Sequence, residues 1–206
     1  MIKRIIFDID GTLITGINFS DYIESALKKY GVKDSTHKTK IFLSNIKEYE
    51  KMYSFYNKNS YLKFFSSKLS CELNYDFLEI FFDELKSAVP SNSKKIFEML
   101  NSLKDYELVL ISNFFEESQR NRLKAMGINR LFSEYYGEKI IKPNEEVYIN
   151  SSGVHKPSEC LIVGDDKKLD IDIPQKMGFN TLFVNENGDI KSVEEITPEL
   201  IAELGK

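Results

Sequence analysis

The feature that most constrains this chain is a short apolar run that ends in two acids. Lys3-Arg4-Ile5-Ile6-Phe7-Asp8-Ile9-Asp10 is stopped by Gly11-Thr12, and a run of that length and character reads as a buried parallel strand. Three more runs behave alike: Leu108 to Ile111 before Ser112-Asn113, Cys160 to Val163 before Gly164-Asp165-Asp166, and Thr181 to Val184 before Asn185. Between them the spacing predicts helices over 93–103, 116–126, 144–152 and 170–177. Alternating strand and helix predicts an α/β fold, a Rossmann-like parallel sheet with helices on both faces.

Residues 16–88 break the rhythm. They are rich in Tyr, Phe, Lys and Ser, with helical periodicity over 20–30, 38–53, 61–69 and 75–88. Phe77, Ile80, Phe81 and Leu85 form an amphipathic stripe, read as the core of a small bundle. The expected division is therefore an α/β core domain of 1–15 and 89–206, with an inserted all-helical domain of 16–88. Gly16 and Pro90 stand at the expected hinges.

Composition excludes several functions. The 206 residues are 42% hydrophobic, enough for a core, and no apolar stretch approaches the roughly 20 residues needed to span a bilayer. The first residues run straight into Asp8 without the form of a cleavable signal, so a soluble, cytoplasmic protein with no membrane partner is expected. The only cysteines, Cys71 and Cys160, and the only histidines, His37 and His155, build neither a disulfide framework nor a thiolate or histidine metal site. Any metal must be held by oxygen. A net charge of −4 and a pI near 5.4 argue against nucleic acid as a partner.

In an open parallel sheet, ligands sit beyond the carboxyl ends of the strands. Asp8, Asp10, Ser112, Asn113, Asp165 and Asp166 all fall at such ends. These residues resemble the motifs of the haloacid dehalogenase-like hydrolases. Asp8-Ile9-Asp10-Gly11-Thr12-Leu13 is similar to the first motif, Ile111-Ser112-Asn113 to the second and Lys142-Pro143 to the third. Gly164-Asp165-Asp166, with Asp170 four residues later, is similar to the fourth. The helical insert lies where that family places its first-type cap.

The resemblance implies a Mg²⁺-dependent phosphatase acting on a small-molecule phosphomonoester of nucleotide or sugar phosphate type. Asp8 would be the nucleophile, since a carboxylate can attack phosphorus and divide hydrolysis into formation and breakdown of an aspartyl-phosphate. Asp10 would be its acid/base partner. The implied metal ligands are the Asp8 side chain, the Asp10 carbonyl and Asp165. Ser112, Asn113 and Lys142 would bind the phosphate, with backbone N–H groups completing the cradle. Asp166 and Asp170 remain open between a supporting role at the metal and a structural one, Asp170 being equally placed to cap the helix ending near Met177. Asp10 favours phosphate esters, because the dehalogenases of the family lack an aspartate there. A sugar-phosphate mutase keeps both aspartates and is the alternative; a silent binding or regulatory module is the alternative from another class. Ser112-Asn113 followed by Gln119, Arg122 and Leu123 is also similar to the branch holding nucleotidases and the acylneuraminate phosphatase. Tyr22, Tyr53, Tyr56 and Lys58 are specificity candidates by residue type alone, and a monomer or homodimer is expected.

Overall fold

In the computed structural model, which describes residues 1–205, strand β1 (Arg4–Phe7) leads into a run of four helices, α1 (Phe19–Lys29), α2 (Ser35–Tyr53), α3 (Lys58–Leu69) and α4 (Tyr75–Lys86). The chain then returns through α5 (Ser93–Ser102), β2 (Glu107–Ile111), α6 (Glu116–Ala125), β3 (Glu134–Tyr136), α7 (Glu145–Ser152) and β4 (Cys160–Gly164). It finishes with α8 (Ile173–Lys176), β5 (Asn180–Phe183) and α9 (Pro198–Leu204). No helix among the described residues is long and apolar enough to cross a membrane.

The strands form one parallel sheet in the order β3-β2-β1-β4-β5. Phe7 lies level with Leu110 on one side and Val163 on the other, so Asp8, Ser112 and Asp165 leave the sheet at the same edge. The chain proceeds outward from β1 to β3 and then returns to the other side of β1, and the crevice at that reversal is flanked by Asp8 and Asp165.

Alternation along the strands divides the interior. Ile5, Phe7, Leu108, Leu110, Leu161 and Val163 face a core shared with Ile96 and Leu100 of α5, Leu123 of α6 and Ile201 of α9. Ile6, Val109, Ile111 and Ile162 face the opposite layer with Val147 and Tyr148 of α7. Both faces are buried, which is why these strands read as continuous apolar runs.

Helices α1 to α4 have their own core, in which Phe42, Phe65 and Phe77 are fully buried. Phe42 and Phe65 stack at 4.0 Å between centroids. Phe115 and Ile141, which come from loops at the edge of the sheet, complete that core and dock the bundle over the strand ends. Asn18, Asn57 and Asn74 cap α1, α3 and α4 with side chains that accept from the first-turn N–H groups.

Two elements differ from the sequence expectation. Strand β3 spans three residues at the sheet edge, too few to leave an apolar signature. The helix expected over 170–177 begins instead as a π-turn, Lys167–Asp172, followed by one turn of α8. Pro174 falls in the first turn of α8, where its missing N–H costs no hydrogen bond.

Candidate active site

Asp8 follows β1, is buried and is met by the Nζ of Lys142, which donates to its Oδ1 at 2.8 Å. Lys142 comes from the loop between β3 and α7. The same Nζ donates to Asp170 Oδ1, also at 2.8 Å. Asn113 holds this lysine in place: its Nδ2 donates to the Lys142 carbonyl at 2.9 Å, and its Oδ1 accepts from the Lys142 N–H at 2.8 Å. The Asn113 side chain is therefore committed to the lysine loop; the group expected at the phosphate is its backbone N–H. Its backbone N–H makes no hydrogen bond among the described residues.

The acidic run after β4 is sorted by the π-turn. Asp166 caps it, Oδ1 accepting from the N–H groups of Lys168 and Leu169 at 2.9 Å. The expected choice for Asp170 thus falls away from capping: the cap is Asp166, and Asp170 is turned inward and is 1% exposed. The wider π spacing brings Asp170 round to Lys142, while its Oδ2 accepts from the Asp166 N–H at 3.1 Å. Gly164 makes room for this, since a Cβ there would stand 2.4 Å from Asp170 Cβ.

Asp165 accepts from Thr12 Oγ1 at 3.2 Å. Gly11, at φ +92°, lets the chain pass beside it; a Cβ at position 11 would lie 2.2 Å from Asp165 Oδ2. Carboxylate oxygens of Asp8, Asp165 and Asp170 lie within 4.8 Å of one another. Burial pushes the Asp8 carboxyl up to about 8, Lys142 pulling it down and Asp170 raising it further. Asp165 is also raised, by burial and then by Asp170. Lys142 is raised above its ordinary value, burial opposing the stronger combined attraction of Asp8 and Asp170.

Asp10 stands apart from this cluster. Arg122 NH1 donates to its Oδ1 at 2.7 Å and Gln119 Nε2 to its Oδ2 at 2.6 Å. Gln119 Nε2 also reaches Ser112 Oγ at 3.1 Å, and its Oε1 accepts from Arg122 at 2.7 Å. Ser112, Gln119 and Arg122 are buried. Helix α6 thus presents Gln119 and Arg122, three residues apart on one face, as a clamp on Asp10. The sequence similarity around Gln119 and Arg122 marked these residues without revealing their partner.

Among the specificity candidates, Tyr56 is buried beside the strand ends, whereas Lys58 pairs with Glu117 of α6 at 2.6 Å. Tyr22 and Tyr53 pack against the bundle core. Glu50 was missed. Phe42, Ile46 and Glu50 follow one another at four-residue steps, so an acid continues the apolar stripe of α2. That interruption is the signal by which it was findable.

The family model described as haloacid dehalogenase-like hydrolase matches residues 5–184. The chain belongs to the haloacid dehalogenase-like hydrolases. Among solved structures of this family, the HAD phosphatase from Thermococcus onnurineus is 23% identical with a TM-score of 0.65, over 99% of this chain and 98% of that one. The HAD-hydrolase YfnB from Bacillus subtilis, bound to magnesium, is 17% identical with a TM-score of 0.71, over 100% and 99% of the two chains. The L-2-haloacid dehalogenase from Xanthobacter autotrophicus, with chloropropionic acid covalently bound, is 16% identical with a TM-score of 0.68, over 98% and 82%. These likenesses share the haloacid dehalogenase-like fold and span both phosphatase and dehalogenase. No curated protein sequence matches the chain. The fold commonly works with a metal ion, and the acidic cluster of Asp8, Asp165 and Asp170 suits one.

Proposed function

We propose that this hydrolase is a Mg²⁺-dependent phosphatase that cleaves a small-molecule phosphomonoester through an aspartyl-phosphate on Asp8. The observation that carries the reading is a charge imbalance. Three carboxylates, Asp8, Asp165 and Asp170, gather around one ammonium, Lys142. With all three ionised, two negative charges are left, the amount one divalent cation balances, and the raised Asp8 and Asp165 carboxyls show what burying that excess costs without one. A halide displacement has no use for such a cation, whereas phosphoryl transfer does.

The donor set is all oxygen and suits Mg²⁺. Both Asp170 oxygens are already engaged, by Lys142 and by the Asp166 N–H. Asp8 and Asp165 would therefore hold the ion directly, with the Asp10 carbonyl, which accepts no hydrogen bond among the described residues, and Asp170 behind them. When bound, the ion supplies positive charge to the phosphoryl oxygens.

The remaining steps belong to the chain. An Asp8 oxygen forms a bond to phosphorus as the bond to the leaving oxygen breaks, and Asp10 gives that oxygen its proton. Water then attacks the aspartyl-phosphate, Asp10 takes its proton, and the bond between Asp8 and phosphorus breaks to release phosphate. Lys142 holds the attacking carboxylate and offsets charge on the transferring group. Ser112 Oγ and the Asn113 N–H are the donors at the other side.

The helical bundle of residues 16–88 is assigned as a cap domain on the core of 1–15 and 89–206. Supporting this, 15–17 and 89–92 together line one surface cleft, as two linkers of a hinge would. The two free cysteines suit a reducing, cytoplasmic setting.

Phosphate release from a panel of phosphomonoesters, with and without Mg²⁺, tests the reading. Release that needs Mg²⁺ and falls at least about 10⁴-fold in Asp8→Asn is expected. Activity indifferent to that substitution, or none on any ester, defeats it, and isomerised sugar phosphate with little free phosphate assigns a mutase instead.

A further inference from the structure

A cavity of about 160 Å³ lies between the bundle and the strand ends. Its core side carries Asp10, Asn113 and Arg122, and its bundle side carries Glu50 and Tyr56 among aromatic rings. Asp10 connects it to the chemistry. The role of the cavity rests on the phosphatase reading, in which Asp10 protonates the leaving oxygen. The atoms beyond that oxygen then occupy this cavity.

Glu50 is anomalous there. It sits in the last turns of α2, half-buried, and accepts from Tyr56 Oη at 2.9 Å. No lysine, arginine or histidine among the described residues reaches it within salt-bridge distance. A half-buried carboxylate without a counter-charge destabilises the fold that holds it. Across the cavity the opposite deficit appears. Arg122 is fully buried, yet its Nε and NH2 find no acceptor. One wall has a carboxylate with acceptor capacity beyond its tyrosine bond, and the other has a guanidinium with two nitrogens that lack an acceptor.

We infer that Glu50 and Arg122 together select a small leaving group bearing hydroxyl groups, so that the substrate is a short polyol phosphate. A hydroxyl both donates, as Glu50 requires, and accepts, as Arg122 requires. An ammonium satisfies Glu50 alone, and an alkyl chain neither. The volume is below the roughly 300–1,000 Å³ usual for drug-sized ligands, which disfavours a nucleoside and narrows the nucleotide or sugar phosphate class expected from sequence. A leaving group of a few non-hydrogen atoms fits.

Binding to the Asp8→Asn protein with Mg²⁺ tests this without turnover. Calorimetry gives Kd for glycerol 3-phosphate, propyl phosphate and O-phosphoethanolamine. Glycerol 3-phosphate is expected to bind at least about tenfold tighter than propyl phosphate. Adding Glu50→Leu is expected to shrink that ratio below about threefold, and Glu50→Gln, which keeps an acceptor and the side-chain shape, to retain part of it. Equal affinities for the two esters, a ratio that survives Glu50→Leu, or no binding of either overturns the inference. Tighter binding of O-phosphoethanolamine than of glycerol 3-phosphate overturns the hydroxyl assignment in favour of an ammonium. If the preference is found but the Asp8 protein releases no phosphate from any ester, the phosphatase reading fails and the selectivity of the cavity stands.

Discussion

Arg122 NH1 lies 2.7 Å from Asp10 Oδ1, joining two residues 112 positions apart at the mouth of the sheet. Gln119 holds the second oxygen of the same carboxylate at 2.6 Å. Neither group needs to touch the phosphoryl centre to matter, because a proton donor displaced by about 1 Å can cost roughly 100-fold. Gln119→Leu is therefore expected to lower kcat by about 10–100-fold with little change in KM, and to alter the pH profile. A merely structural glutamine would lower the folded fraction and leave the pH profile of the remaining activity alone.

Among the described residues, Lys142 is the only cation paired with the buried acids Asp8 and Asp170. Replacing it by Met leaves both carboxylates uncompensated, a change that typically costs about 3–5 kcal/mol. For a chain of this size Tm should drop by about 10 °C at pH 8, and saturating Mg²⁺ should recover part of the loss. Thermal melts with and without the ion decide it; an unchanged Tm would show that the ammonium does not hold the acids together.

Asp165 and Asp166 are neighbours with different employment. Asp165→Asn is expected to weaken Mg²⁺ binding at least tenfold. Asp166→Ala should leave that affinity within about threefold while costing about 1 kcal/mol of stability, since it removes the acceptor for the N–H groups of Lys168 and Leu169. Calorimetric titration of Mg²⁺ and denaturant unfolding separate the two; the reverse pattern would exchange their roles.

Glu50 is raised above its ordinary 4.5 by burial, with the hydrogen bond from Tyr56 opposing it. The folded protein therefore binds this proton more tightly than the unfolded chain. Stability from the group is complete below pH 4.5, declines as pH rises through the raised value, and stays lower above it. Glu50→Gln removes that decline. Its Tm should exceed the parent's at pH 7–8 by a few degrees, about 2–4 °C for each kcal/mol, and the two should converge at pH 4. A constant difference across pH would mean that the effect is packing, not charge.

The sheet and the polar residues at its carboxyl edge were legible because both are local. Four strands showed themselves as apolar runs, three of them, β1, β2 and β4, because both of their faces are buried, and Asp8, Ser112 and Asp165 stand just beyond those three. Helices α1, α3 and α4 carry Asn caps and aromatic stripes that repeat within a few residues. By itself the sequence determined the α/β class, the helical interruption after the first strand and the oxygen-only character of any metal site.

The tertiary structure decided what each polar group is for, because a hydrogen bond joins atoms whose separation along the chain carries no information about their separation in space. Asp170 became a partner of Lys142 through the one-residue widening of a π-turn, and Asp166 took the cap in its place. Asn113 was drawn into the lysine loop. Asp10, legible as the second acid of the motif, gained its orientation from Arg122 and Gln119 on a helix more than 100 residues away.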